Sequence, residues 1–119
     1  MLQANSSNNT LFADSKGNVA YLHPQFVPTR DPRLDYRKPV DGNDPASNWT
    51  GLHPLAHLPM VINPKNGWAM NVNDSPWWAA GEHSPRQAAF PRYMDAAGSN
   101  PRTRHAIAVL SASVRFTLD

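Results

Sequence analysis

The sequence predicts a loop-rich α+β fold, and three observations carry that prediction. Twelve prolines run from Pro24 to Pro101, and none precedes Pro24. Proline fixes φ and lacks an N–H, so the middle of the chain is unsuited to long helices or central strands. Two β-rich runs flank a glycine-containing turn near the start, and a stretch free of glycine and proline follows Asn100-Pro101 near the end.

Residues 1–9 are polar and read as a frayed or miscut start. Thr10–Asp14 (TLFAD) and Asn18–His23 (NVAYLH) are separated by Ser15-Lys16-Gly17, a pattern that predicts a hairpin with glycine supplying a positive φ. Residues 24–66 are broken by Pro, Asp, Asn and Gly and read as a long ordered excursion with no element longer than a turn or two. Trp68–Val72 is the next strand candidate, and Pro76 stops it. Residues 79–101 read as loop, with a short helical turn around Arg86–Phe90. Asn100 then has the character of an N-cap with Pro101 at the first helical position, which predicts a helix from about Pro101 to Ala112. VRFTLD after it starts a further element.

Length and composition narrow the function. A chain of 119 residues holds at most one small domain. Apolar content of 40 % and charged content of 17 % are both below the globular norm. Coil buries little apolar surface, so this composition reads as a piece of a larger fold. A net charge of +2 is too small to argue for nucleic acid. Arg30, Arg33, Arg37 and Lys38 interleave with Asp31, Asp35 and Asp41, which reads as a solvated mixed-charge loop. The chain has no cysteine, which excludes a disulfide scaffold and thiol chemistry. It has no apolar run of membrane-spanning length, and MLQANSSNNT is too polar for a signal peptide, so neither membrane nor compartment is indicated.

Most familiar site chemistries find no pattern here. His53 and His57 are separated by Pro54 and followed by Pro59, so they do not share a helical face, and no metal site is expected. His23, His83 and His105 are isolated. There is no G-x-S-x-G, and Ser75 sits before a proline in a turn. Asp31, Asp35, Asp41 and Asp44 lie in loops whose spacing fixes no carboxylate separation. What stands out is Trp68 to Trp78, WAMNVNDSPWW, with Asn71 and Asn73 at the end of the strand candidate. Two readings are open. Asn and Asp favour turns because they tolerate left-handed backbone and bond to nearby N–H groups, and the residues alone favour that reading. The other reading is an oxyanion donor, an uncharged amide held rigidly with Trp77 and Trp78 excluding water.

The order of the sequence blocks resembles the penicillin acylase family of N-terminal-nucleophile amidases. The matching runs are NNTLFADSKGNVAYLH (8–23), RDPRLDYRKPVDG (30–42), DPASNWTGLHPLAHLP (44–59), NPKNGWAMNVNDSPWW (63–78), SPRQAAFPRYM (84–94) and NPRTRHAIAVL (100–110). The likeness is nearest to the branch holding acyl-homoserine-lactone and lipopeptide acylases. It implies that residues 10–119 are a partial β-subunit segment of an αββα sandwich that hydrolyses linear amides. In that family a serine at the start of the β chain is the nucleophile and its own amine the base. An asparagine in N-x-N-[ND]-x-P completes the oxyanion hole, which implies Asn73, with Asn71 only leading into the motif. The resemblance also implies that Arg102 orients this asparagine. Pro32 matches a place where the family offers a carbonyl to calcium, but the other calcium ligands have no counterpart here, so no cofactor or metal site is expected in this chain. The implied partners are an acyl amide substrate and the remainder of the acylase; the parent family is typically exported to the bacterial periplasm, but no signal peptide is present here, so no compartment is assigned to this chain. Nothing in the chain resembles the nucleophile segment, which sets a second expectation beside the first: a non-catalytic remnant or interaction module.

Overall fold

The computed structural model describes residues 8–23 and 26–112. The expected frayed start therefore falls outside the described residues up to position 7, and so does the element expected from VRFTLD.

The hairpin forms. Strand β1 (Thr10–Ala13) pairs antiparallel with β2 (Val19–Leu22), with Leu11 opposite Tyr21 and Phe12 opposite Ala20. Gly17 takes φ +84°, as the turn requires. Asp14 does as much for the turn as the glycine. Its Oδ1 accepts from the backbone N–H groups of Lys16 and Asn18, both at 2.9 Å, and its Oδ2 accepts from Asn18 Nδ2 at 2.7 Å.

A third strand, β3 (Met60–Ile62), pairs antiparallel with β2 and completes a sheet of order β1-β2-β3. It falls within residues 24–66, where no strand was singled out, and at three residues it stays within the expectation of no element longer than a turn or two. The strand is short and closely bracketed by Pro59 and Pro64, so alternation has no length in which to show. It is held from outside instead. The His23 N–H donates to the Pro59 carbonyl at 3.2 Å. Asn63, with φ +47°, accepts from the Val19 N–H through Oδ1 and donates to Asn18 Oδ1 through Nδ2, both at 2.9 Å.

The strand expected at Trp68–Val72 does not form. Met70 N–H finds one backbone partner, the Ala79 carbonyl at 2.7 Å, and the chain then bends through residues 72–74. Pro76 opens a 3-10 turn (Pro76–Trp78), and further such turns occupy Gly81–His83 and Gln87–Ala89, the last lying within the expected Arg86–Phe90 turn. Helix α1 (Pro101–Ser111) starts as predicted, with Pro101 at its first position and Ala112 as its C-cap.

Two small cores hold these pieces together. Tyr21 and Val61, paired in register on one sheet face, bury against Ala79 and Ala80 with Ala69 alongside. Val27, Leu58 and Met94 form the second core, flanked by Leu55 and Phe90. Full burial of an aliphatic side chain such as Val61, Leu58 or Met94 contributes about 1.5–3 kcal/mol.

The loops satisfy their backbone by a repeated device. A carboxylate or amide oxygen accepts from the N–H two residues on, in Asp31–Arg33, Asp35–Arg37, Asp41–Asn43, Asp44–Ala46, Asn71–Asn73 and Asp95–Ala97. In a chain this poor in ladders, short polar side chains supply partners for backbone N–H groups, here at exposed turns. The mixed-charge loop is organised the same way, with Arg33 on Asp31 and Arg37 on Asp35 as ion pairs. Arg30 instead lies over the rings of Tyr36 and Trp49, 5.0 and 5.6 Å from their centroids.

Candidate active site

The two residues singled out from the sequence meet. Arg102 Nη1 donates to Asn73 Oδ1 at 3.4 Å, joining the 71–76 loop to the first turn of α1. A guanidinium carries only donors, so it fixes which end of the Asn73 amide it faces. The carbonyl end is held by Arg102, and the NH₂ end points elsewhere.

The backbone of Asn73 is itself constrained. Its φ is +59°, in the left-handed region that asparagine tolerates better than most residues. Asn71 holds it there: its Oδ1 accepts from the Asn73 N–H at 3.0 Å and from Asn9 Nδ2 at 3.2 Å. The turn-chemistry reading thus describes a real feature, located mainly in the Asn71 side chain.

Asn73 is exposed and lines an open polar cleft of about 420 Å³ with Asn9, Asn71, Asp74, Ser75 and Asp95. The tryptophans do not wall it. Trp77 is buried beside Phe90, ring centroids 5.4 Å apart, and its Nε1 donates to the Asp95 carbonyl at 3.2 Å. Trp77 thus braces the backbone at Asp95, which lines the cleft, without lining it itself. Ser75 is buried as well, with Oγ donating to the Ala97 carbonyl at 2.9 Å, so its hydroxyl is engaged in structure.

Asp74 and Asp95 give the cleft a negative field. The buried Tyr21 hydroxyl is raised far above the usual phenol range, first by burial and then by Asp95 and Asp74. His23 is pushed down by burial, and Asp95 opposes that shift. Asp74 is tied to α1, accepting through Oδ2 a hydrogen bond from Thr103 Oγ1, which sequence reasoning missed.

His53 Nε2 pairs with the Tyr93 hydroxyl at 2.9 Å. Among the described residues no three His, Cys, Asp or Glu side chains converge as a metal site. Near Pro32, the Asp31 carboxylate is taken up by Arg33 at 2.5 to 3.1 Å. Calcium takes six to eight oxygens, so these residues do not by themselves fit a calcium shell. Among the described residues no helix is long and apolar enough to cross a membrane.

Asn73, which lines the polar cleft, is thus tied to the first turn of α1 through Arg102. Residues 2–119 match the family model described as Penicillin amidase, and the chain belongs to that family. It is 40 % identical over 68 residues to Penicillin G acylase of Escherichia coli, an alignment covering 57 % of this chain. The match spans 8 % of the length of that relative.

Proposed function

We propose that this segment supplies the side-chain donor of the oxyanion hole in an amidohydrolase that cleaves linear amides. The observation that carries the reading is the bond from Arg102 to Asn73 Oδ1. With its oxygen engaged, the Asn73 amide presents Nδ2–H groups to the solvent side of the loop. When a nucleophile adds to an amide carbonyl, the oxygen gains a full negative charge. A preorganised neutral donor stabilises that charge more than it stabilises the substrate carbonyl, which is the difference that accelerates the reaction. Collapse of the intermediate then releases an amine and leaves an acyl group for water to remove as a carboxylic acid.

The nucleophile in this reading is a serine at the start of a β chain, contributed by the rest of an αββα fold in which β1, β2 and β3 form part of one sheet. Penicillin G acylase is named for an acylated β-lactam. The sequence blocks also resemble homoserine-lactone and lipopeptide acylases, so the proposed substrates are acyl amides of these kinds.

The test is steady-state kinetics on a complete enzyme carrying this segment, with a chromogenic phenylacetyl amide and a long-chain acyl-homoserine lactone. Asn73→Gly keeps the left-handed backbone and removes the amide. A fall in kcat of about 10²–10³ is expected on whichever substrate turns over. An unchanged kcat would remove the oxyanion role.

A further inference from the structure

Thr103 is the most enclosed polar side chain of α1, with 0 % of its surface exposed. Its position, third in the helix, usually serves the helix alone. In a capping box the N-cap side chain accepts from the N–H of this residue, whose side chain accepts in return from the N-cap N–H. Both bonds are present: Thr103 N–H to Asn100 Oδ1 at 3.1 Å, and Asn100 N–H to Thr103 Oγ1 at 3.3 Å. The threonine hydroxyl still has its own proton to give, and it gives it to Asp74 Oδ2, across to the loop that carries Asn73.

Two further facts make this bond more than a cap. The first turn of α1 contains no acidic residue, although a helix N-terminus favours negative charge, and it carries Arg102, which the helix dipole disfavours. Asp74 supplies the missing anion from outside the helix. Asp74 also adjoins Asn73 in sequence, as Thr103 adjoins Arg102. The loop and the helix are thus joined by two neighbouring rungs, Asp74–Thr103 and Asn73–Arg102. The first rung is buried on its helix side and the second is exposed at 3.4 Å. An exposed arginine has many rotamers, and its bond to Asn73 is at the long end of the hydrogen-bond range. The inner rung sets the register in which the outer one can form.

We infer that Asp74 and Thr103 are positioning residues for the Asn73 amide, clamping the helix start to the loop so that Arg102 meets Asn73 Oδ1. This rests on the oxyanion reading above. The clamp also draws the Asp74 carboxylate into a hydrogen bond with the helix, which lessens its opposition to an anion forming at Asn73.

The experiment is a double-mutant cycle in the complete enzyme carrying this segment, with Asn73→Gly as reference. Thr103→Val keeps shape and removes the hydroxyl. It is expected to lower kcat about tenfold while KM stays within about twofold, because the lost interaction acts on the transition state. Thr103→Ser recovers kcat relative to Thr103→Val. Thr103→Val combined with Asp74→Ala falls no further than either alone, as expected of two residues sharing one bond. Additive losses, or an unchanged kcat in Thr103→Val beside an inactive Asn73→Gly, would overturn the clamp and leave the oxyanion role standing. An unchanged kcat in Asn73→Gly would overturn both. Should Thr103→Val not fold, Asp74→Asn against Asp74→Ala reads the bond from the other side. Asparagine keeps an acceptor and recovers kcat, and equal losses in the two would overturn the clamp.

Discussion

The side chain of Asn71 folds back onto the backbone of Asn73, its Oδ1 3.0 Å from the Asn73 nitrogen, while Asn73 holds φ +59°. The two asparagines of NVNDSP therefore have different tasks, one shaping the loop and the other presented by it. In a complete enzyme, Asn71→Ala removes one backbone hydrogen bond, which contributes about 1 kcal/mol, so a kcat loss of about fivefold to tenfold is expected. That is well below the loss expected from Asn73→Gly. Kinetics of the two variants side by side check the order, and a larger loss from Asn71→Ala would transfer the donor role to Asn71.

Arg102 reaches Asn73 Oδ1 with one nitrogen at 3.4 Å. A hydrogen bond with one charged partner contributes about 1.5–3 kcal/mol, and a long exposed one belongs at the lower end. Arg102→Met is expected to reduce kcat by about tenfold, with a melting temperature close to that of the parent because the side chain is exposed. Arg102→Lys, a single flexible donor in place of a planar one, should fall between the two. Equal kcat in all three proteins would assign Arg102 to the solvated surface.

Acid pH acts on two places with the same sign. Hydrogen bonds from Arg33 and Arg37 hold the Asp31 and Asp35 carboxyls down at about 2. Their unfolded value is about 3.9, so the ion pairs contribute fully above that pH and are lost as pH falls through about 2. Carboxyl carbon shifts followed by NMR should titrate near 2 for both, and midpoints near 3.9 would show that the pairs do not persist in solution. Burial lowers His23, so the folded state resists taking up its proton. Stability contributed by neutral His23 is present above its unfolded value of about 6.5 and is lost progressively below it. In a complete enzyme carrying this segment, His23→Gln should flatten the fall in melting temperature between pH 7 and pH 5, and an unchanged slope would place that dependence elsewhere.

Legibility in the sequence followed the range of the interactions. The hairpin was readable because Asp14, Gly17 and Asn18 build their turn locally, and α1 because Asn100 and Pro101 announce its start. Strand β3 was not, since its partners lie on β2 and no local pattern stands for them. The false strand at Trp68–Val72 has apolar residues suited to one, but the Asn71 side chain captures the Asn73 N–H and bends the chain instead. At the site, the motif and the resemblance pointed to Asn73 and Arg102, which do meet. Nothing in the sequence singled out Asp74 or Thr103. A threonine three places after an Asn-Pro start was the available signal, but it names a cap and not a partner in a distant loop.

The last prediction concerns the 119 residues expressed by themselves. Tyr21 and Val61 bury one face of the sheet, yet Phe12 and Ile62, flanking Ala20 in register on the other, are 36 % and 57 % exposed. Leu11 on β1 and Val109 on α1 are also exposed. A sheet apolar on both faces, with β1 and β3 both at its edges, gains its stability from further layers and strands. The two cores described above are too small to offset the conformational entropy of so much loop, which costs about 1–2 kcal/mol per ordered residue for the backbone alone. The isolated polypeptide is therefore expected to show weak near-ultraviolet ellipticity, poorly dispersed amide resonances and binding of a hydrophobic dye, without a cooperative melt. A sharp two-state transition of a monomer would show instead that the loop network of Asp and Asn side chains stabilises this segment unaided.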